Sequence, residues 1–166
     1  MAQSPDQSSS TPITVTTITA DYHNPEHRRH LLALLNHYAQ DPMGMDAPLP
    51  NPVQERVLDD LAAFPTSFSI LAYNLKQPVG LLNAFWGYST FKGKPLANIH
   101  DIVVLPEFRS RGIGNKLLEA VEKKAVERGC CKITLEVRED NPAKKLYSRF
   151  GFSDDTPPMY FWSKEL

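Results

Sequence analysis

Residues 99–129, IHDIVVLPEFRSRGIGNKLLEAVEKKAVERG, decide the fold of this chain. The first seven residues are mostly β-branched and stop at Pro106, which is typical of a strand. The last part predicts a helix that ends at Gly129, because its apolar residues recur at helical spacing: Ile113, Leu117, Leu118, Val121 and Ala125. The turn RSRGIG, residues 109–114, therefore joins a strand directly to a helix.

The residues after this helix predict a second strand. CKITLEV, residues 131–137, alternates apolar and polar side chains, and we expect Cys131 to lie in the core with Ile133 and Leu135. A strand, a helix and a strand in this order indicate a right-handed crossover between two parallel strands.

The rest of the chain predicts further strands and helices around this crossover. Residues 13–19 form a β-branched strand, residues 68–74 and 79–89 form a hairpin around a turn at 76–78, and residues 159–162 form a last strand. Three Asn-Pro pairs, at Asn24, Asn51 and Asn141, each open a helix. The order predicts an α/β fold with a mixed, mostly antiparallel sheet and helices on both faces.

Length and composition favour one globular domain. The chain has 166 residues, 42% of them hydrophobic, and we expect a domain over residues 13–166 behind a disordered leader, residues 1–12, rich in Ser, Gln and Pro. A net charge of −1 predicts neither a nucleic-acid nor a membrane partner. The leader does not read as a secretion signal. Two adjacent cysteines, Cys130 and Cys131, fit a reducing compartment, so we expect a cytoplasmic protein.

The turn at residues 109–114 is a candidate anion-binding site. Gly112 and Gly114 let backbone amides approach an anion, and the start of a helix adds free N–H groups and partial positive charge. Arg109 and Arg111 add donors for phosphate oxygens. The spacing matches neither the Walker nor the Rossmann pattern. On local pattern alone, a tight strand–helix turn without a ligand remains the alternative.

Two motifs together resemble a known family. Arg109, Gly112 and Gly114, after the strand exit VVLPEFR, resemble motif A of the GNAT-type N-acetyltransferase superfamily. AKKLYSRFGF, residues 143–152, is similar to that superfamily's A-x-x-L-Y-x-x-x-G-F segment. The resemblance covers about residues 96–152 and implies a GNAT-like (acyl-CoA N-acyltransferase) fold that transfers acetyl from acetyl-CoA to an amine without a metal.

The resemblance also implies where acetyl-CoA binds. Its pyrophosphate would lie on the amides of the glycine turn, beside the Arg109 side chain: Arg111, Gly112, Ile113, Gly114 and Asn115. Its pantetheine arm would pair with the strand before the turn: Ile102, Val103 and Val104. Asn141 would contact the cofactor arm, although an ordinary role as helix N-cap is at least as well supported.

Candidates for proton transfer lie on both sides of this site. The resemblance implies that Tyr147 protonates the departing thiolate, with simple packing of the ring as the alternative. Small-amine relatives often read Glu-Asp where this chain has His100 and Asp101, so His100 is the candidate base. Strand alternation predicts Asn98, His100, Ile102 and Val104 on one face and Asp101 on the other. Glu136 is a weaker candidate.

One further resemblance predicts the class of amine that accepts the acetyl group. Residues 88–101, YSTFKGKPLANIHD, resemble the diamine acetyltransferase branch, which favours a small-molecule amine as substrate. Acidic residues could attract such a cation, although most are expected to be solvated: Asp41, Asp46, Glu55, Asp59 and Asp60.

Other interpretations remain open. One is acetylation of a protein N-terminus or lysine, and another is a non-catalytic acetyl-CoA-binding module. Family analogy also suggests a homodimer. His23, His27 and His30 lack a ligand set around them and predict a polar helix face rather than a metal site.

Overall fold

The computed structural model describes residues 13–154, 157 and 159–166; the predicted leader, residues 1–12, lies outside them. The elements in chain order are β1 (Val15–Thr19), α1 (Pro25–Gln40), α2 (Asn51–Ala63), β2 (Ser67–Asn74), β3 (Gln77–Ser89), β4 (Lys94–Val104), a 3-10 turn (Pro106–Phe108), α3 (Ile113–Glu127), β5 (Ile133–Leu135) and α4 (Lys144–Phe150). Among these residues no helix has the length and apolarity needed to span a membrane.

The five strands form one sheet in the order β1-β2-β3-β4-β5. All neighbours are antiparallel except β4 and β5, which are parallel and joined through α3. The predicted mixed sheet and its parallel crossover are therefore confirmed.

Helices cover both faces of the sheet, as predicted. One face, here called the α3 face, packs against α3 and α4, and all five apolar residues predicted for α3 are buried there. The opposite face, here called the α1 face, packs against α1 and α2 through Leu31, Leu34 and Leu58. Two separate apolar clusters therefore fix the sheet between two helical layers.

The helix ends only partly follow the Asn-Pro prediction. The Asn24 side chain accepts hydrogen bonds from the amides of Glu26 and His27, so it caps α1 as expected. At α2 the prediction is wrong in detail, because Pro50 is the N-cap and Asn51 lies inside the helix. Asn141 caps a turn ahead of α4 by accepting a hydrogen bond from the Ala143 amide at 2.9 Å.

Several strand boundaries differ from the prediction. β4 starts at Lys94, earlier than the apolar run suggests, because it continues the long hairpin with β3. The β2–β3 turn falls at residues 75–76, where Leu75 has φ +57°, and residues 77–78 already belong to β3. Residues 159–162 form no strand, and their large side chains are exposed. Cys131 precedes β5 and is half-buried rather than in the core.

A β-bulge at His100 changes which way β4 side chains point. Ile99 pairs with Ala84 and Asp101 pairs with Asn83, which leaves His100 as an extra residue. The predicted alternation is therefore wrong beyond this point. Ile102 and Val104 pack on the α3 face, whereas His100 and Asp101 both contact residues of the α1 face.

β4 and β5 part beyond the bulge. β5 pairs only with residues 97–99 of β4, and among the described residues no pairing follows Leu135. Alternation in the sequence predicts a strand to Val137, but the bulge bends the partner strand away, so β5 is shorter. The edge of Ile102–Val104 that faces away from β3 consequently borders an open cleft.

The close approach of α3 to the sheet predicts a stability difference between two glycines of β3. A Cβ at Gly80 would lie 3.0 Å from the Val103 carbonyl oxygen and 3.2 Å from Leu117 Cδ1, whereas at Gly87 it would meet only the Leu96 side chain. We expect Gly80→Ala to lower the free energy of unfolding by about 1–3 kcal/mol. Gly87→Ala, the control, should change it by less than about 1 kcal/mol. Urea unfolding measures both, and equal stabilities would contradict the packing described.

Candidate active site

A cleft of about 560 Å³ opens where β4 and β5 part. Its walls are the free edge of β4, the turn before α3, the start of α4 and the loop after α1. Of the predicted site residues, most line this one cavity: His100, Ile102, Val103, Val104, Arg109, Gly112, Ile113, Gly114, Asn115, Asn141 and Tyr147. Asp101 and Arg111 do not line it.

The glycine turn presents backbone rather than side chains to the cleft. Gly112 is the N-cap of α3, has φ +80° and makes no side-chain cap hydrogen bond. A Cβ there would meet nothing within 4 Å, so the space before the helix is open. Because the first amides of a helix have no intrahelical acceptor, they are available to an anion entering the cleft. Gly114 serves another purpose, since its Cβ would collide with Leu146 Cδ2 at 2.7 Å.

The two arginines of the turn have different surroundings. Arg109 donates to Asp41 at 2.9 Å and to the Val104 carbonyl oxygen at 3.1 Å, so it ties the turn to the loop after α1. Hydrogen bonds from the Met43 amide and from Arg109 lower the pKa of Asp41. Arg111 is exposed, and its guanidinium lies 6.0 Å from the Phe108 ring centroid.

Tyr147 lies on α4 and is buried, with 7% of its surface exposed. Burial, reinforced by the nearby Tyr38, raises the pKa of Tyr147 to about 12. The phenol is therefore neutral across the physiological pH range and remains a hydrogen-bond donor. Its ring packs edge-on against Phe152, 6.0 Å between centroids, so the packing role and a catalytic role are compatible.

His100 and Asp101 stand side by side on the α1 face because of the bulge. The His100 ring packs edge-on against Phe85 at 5.7 Å, and the Asp101 carboxylate accepts a hydrogen bond from the Asn83 amide at 2.9 Å. Burial and the negative charges of Asp101 and Asp41 raise the pKa of Tyr38. Tyr38, His100 and Tyr147 thus line the cleft, and Asp101 lies next to His100 without lining it.

Glu136 also reaches the cleft from the end of β5. Asn98 donates to its carboxylate at 3.2 Å and to Thr134 at 3.1 Å, which holds Glu136 on the wall opposite β4. Of the acidic residues that might attract a cation, Asp41, Asp59 and Asp60 have arginine partners. Glu136 is thus the acidic residue lining the cleft without an arginine partner in the described structure.

Two of the histidines considered as metal ligands, His27 and His30 on α1, make local hydrogen bonds. His27 Nδ1 accepts from the Asp21 amide at 3.1 Å, and His30 Nδ1 lies 2.9 Å from the Tyr73 hydroxyl. Burial and Arg29 lower the pKa of His30. Within residues 13–154, 157 and 159–166, no three His, Cys, Asp or Glu side chains gather as a metal site.

Sequence reasoning missed Tyr38, Asn83 and Ser69. Tyr38 continues the helical stripe of Leu31 and Leu34 at the end of α1, a position from which a polar tip can reach a site. Asn83 and Ser69 are buried polar residues inside apolar strand runs, which is the signal that could have drawn attention to them.

The residues of both motifs meet at this cleft: the glycine turn lies beside the parallel pair of β4 and β5, and Tyr147 lies on α4. The Acetyltransferase (GNAT) family matches residues 31–152, and this chain belongs to that family. The predicted family and fold class are therefore confirmed.

Individual relatives agree with this assignment. The chain is 38% identical over 73 residues to thialysine N-epsilon-acetyltransferase of Bos taurus, a match that covers 43% of this chain and 42% of the bovine protein. An aminoglycoside acetyltransferase from an uncultured soil metagenomic sample shares the fold at 18% identity, with a TM-score of 0.74 over 92% of this chain and 97% of that one. AAC(6')-Iy, solved with the bisubstrate analog CoA-S-monomethyl-acetylneamine, has 20% identity and a TM-score of 0.74 over 92% and 99%.

The raised pKa of Tyr147 predicts which tyrosines ionise in alkali. Because a phenol is charged only above its pKa, Tyr147 should still be neutral at about pH 10.5. Tyr147→Phe should then leave the tyrosinate absorbance at that pH unchanged. A loss of absorbance at that pH in a folded Tyr147→Phe variant would contradict the burial of Tyr147.

Proposed function

We propose that this chain transfers an acetyl group from acetyl-CoA to a primary amine of a small molecule, by direct attack within a ternary complex. The observation that carries the proposal is the shared cleft. It exposes the free edge of β4 and the uncapped start of α3, and it contains Tyr147, His100 and Glu136.

The cleft residues fit acetyl-CoA through their backbone. The amides from Gly112 to Asn115 would hold the pyrophosphate, and the edge of Ile102–Val104 would pair with the pantetheine arm like an added strand. Ile113 and Val103 are buried, so their contribution would come from the main chain alone. Arg109 would contribute to phosphate binding by exchanging its contact with Asp41.

Bound acetyl-CoA would supply an activated thioester, and this chain's side chains would handle the protons. The amine nitrogen forms a bond to the acetyl carbon, and the carbon–sulfur bond breaks. Tyr147 donates a hydrogen bond to the leaving sulfur. Because burial raises its pKa to about 12, the phenol is protonated before the reaction, and we assign it as the donor of a proton to the departing thiolate, with solvent then restoring the phenol proton.

Proton removal from the amine is proposed for the β4 side of the cleft, where His100 lies. An ammonium cannot attack a carbonyl, so a proton acceptor must lie near the nucleophile. His100 lines the cleft, and Asp101 stands beside it on the same face. We assign proton acceptance to this pair, with Glu136 as the alternative acceptor.

A cationic small amine is the acceptor that these surroundings favour. Glu136 lines the cleft without an arginine partner and Asp101 lies beside His100, and these carboxylates attract ammonium groups. The bovine relative is named for acetylating thialysine, one structural neighbour is named an aminoglycoside acetyltransferase, and another was solved with the bisubstrate analog CoA-S-monomethyl-acetylneamine, which supports a small amine as acceptor.

The proposal also covers the cellular compartment and the assembly of the enzyme. The free thiols of Cys130 and Cys131 support a reducing compartment such as the cytoplasm. One domain over residues 13–166 and a homodimer stay predictions.

Acetyl-CoA binding is tested with two glycines at opposite ends of α3. Gly112 and Gly129 have φ +80° and +72°, and neither has a neighbour within 4 Å of a built Cβ. Valine at either position should cost similar backbone strain. Only Gly112→Val should block the approach of phosphate, with an affinity for CoA at least about tenfold weaker by calorimetry, a difference of about 1.4 kcal/mol. A folded Gly112→Val variant that binds CoA as tightly as Gly129→Val would show that the turn is not the cradle.

Acetyl transfer is tested by release of the CoA thiol with polyamines, amino acids, aminoglycosides and peptides. We expect turnover with at least one small amine, and a loss of about 10–1000-fold in Tyr147→Phe with acetyl-CoA binding retained. Tyr160→Phe is the matched control. Turnover with peptides alone would indicate protein acetylation, and binding without any turnover would indicate a non-catalytic module; either result rejects the proposal.

A further inference from the structure

Two buried polar side chains interrupt the apolar core of the α1 face. Ser69 on β2 and Asn83 on β3 are 0% and 4% exposed. A buried hydroxyl or amide costs free energy unless its polar atoms are hydrogen-bonded, and apolar residues of similar size would avoid that cost. Packing alone therefore does not explain why polar residues occupy these two positions.

Both residues belong to a hydrogen-bonded chain that crosses three strands. The Tyr22 hydroxyl lies 2.8 Å from Ser69 Oγ, Ser69 Oγ lies 2.6 Å from Asn83 Oδ1, and Asn83 Nδ2 lies 2.9 Å from Asp101 Oδ2. This series of hydrogen bonds begins at Tyr22, ahead of α1, and ends at the bulge of β4. It thus links the half-buried Tyr22 to the carboxylate beside His100.

The Asp101 carboxylate at one end of this series of hydrogen bonds determines which group donates in each of them. An ionised carboxylate only accepts, so Asn83 must present its NH₂ group to Asp101 and its carbonyl oxygen to Ser69. The single Ser69 proton is then used toward Asn83, and the Tyr22 hydroxyl must donate to Ser69. All donors point toward Asp101, an arrangement that orients the carboxylate.

We propose that Asn83 is a positioning residue that holds the Asp101 carboxylate oriented beside His100, and that Ser69 and Tyr22 hold the Asn83 amide in position. Asn83 occupies Oδ2, and the described residues give Oδ1 no hydrogen-bond donor. Tyr38, which lines the cleft, lies close enough for the Asp101 charge to raise its pKa. The inference rests on the proposed function, because it assigns these residues a task in amine deprotonation.

The geometry predicts that Ser69 affects turnover only through Asp101. Without the Ser69 hydroxyl, Asn83 Oδ1 loses its hydrogen-bond donor inside an apolar layer, so the amide is no longer held at the position from which Nδ2 bonds Asp101. Loss of a hydrogen bond to a charged group is worth roughly tenfold or more in rate when that group acts in the transition state. With Asp101→Asn, the carboxylate that Asn83 would position is absent, so loss of the Ser69 hydroxyl should have little further effect on turnover.

The test is a double-mutant cycle on kcat, with the amine found in the panel as substrate. Ser69→Ala should lower kcat by about tenfold in the parent and by less than about twofold in Asp101→Asn, with KM for acetyl-CoA unchanged. Ser67→Ala is the matched control, because Ser67 on the same strand bonds the carbonyl oxygens of Leu61 and Phe64 and has no link to Asp101. Any effect of this control should be equal in both backgrounds.

The outcomes separate this inference from the proposed function. An equal loss from Ser69→Ala in both backgrounds, or no loss at all, overturns the role of Asn83 while an active parent keeps the proposed function. A parent that acetylates no amine rejects both. If Ser69→Ala fails to fold, Tyr22→Phe breaks the same chain at its other end and must show the same dependence on Asp101.

Discussion

One extra residue in β4 determines the shape of the candidate site. The bulge at His100 shifts the register between β3 and β4, after which β4 stays with β3 and leaves β5. The backbone edge of Ile102–Val104 is thereby exposed beside the start of α3. The same bulge turns His100 and Asp101 toward the α1 face together. The backbone edge proposed to bind acetyl-CoA and the polar side chains proposed to act on the acceptor amine are thus both positioned by one β-bulge.

Polar contacts then hold the elements around this cleft. Arg109 joins the turn before α3 to Asp41, and Arg138 donates to the Pro42 carbonyl oxygen at 3.2 Å from the loop after β5. The loop after α1 is therefore tied to both walls. These contacts are exposed and individually weak, so they can rearrange when substrates bind. The buried chain through Ser69 and Asn83 is different, because breaking it leaves unpaired polar groups in an apolar layer.

The sequence predicted the parts of the site that depend on local chemistry. The glycines before α3 and the buried stripe of that helix follow from short-range spacing, whereas Tyr147 was expected from the family resemblance. The structure places the glycines and Tyr147 in one cleft. The bulge could not be predicted from alternation, because it depends on how β4 pairs with β3 and β5. The shortness of β5 has the same cause. Asn83 and Ser69 were missed because their partners lie on other strands.

Amide hydrogen exchange with and without acetyl-CoA tests the central claim most directly, since it reports on the backbone that the cleft exposes. Saturating acetyl-CoA should slow exchange in residues 102–104, at amides that face away from β3, and in residues 112–115 at the start of α3. The outer edge of the sheet at Val15–Thr19 should exchange as before. Unchanged exchange in both cleft segments, or protection confined to other parts of the chain, would contradict the account.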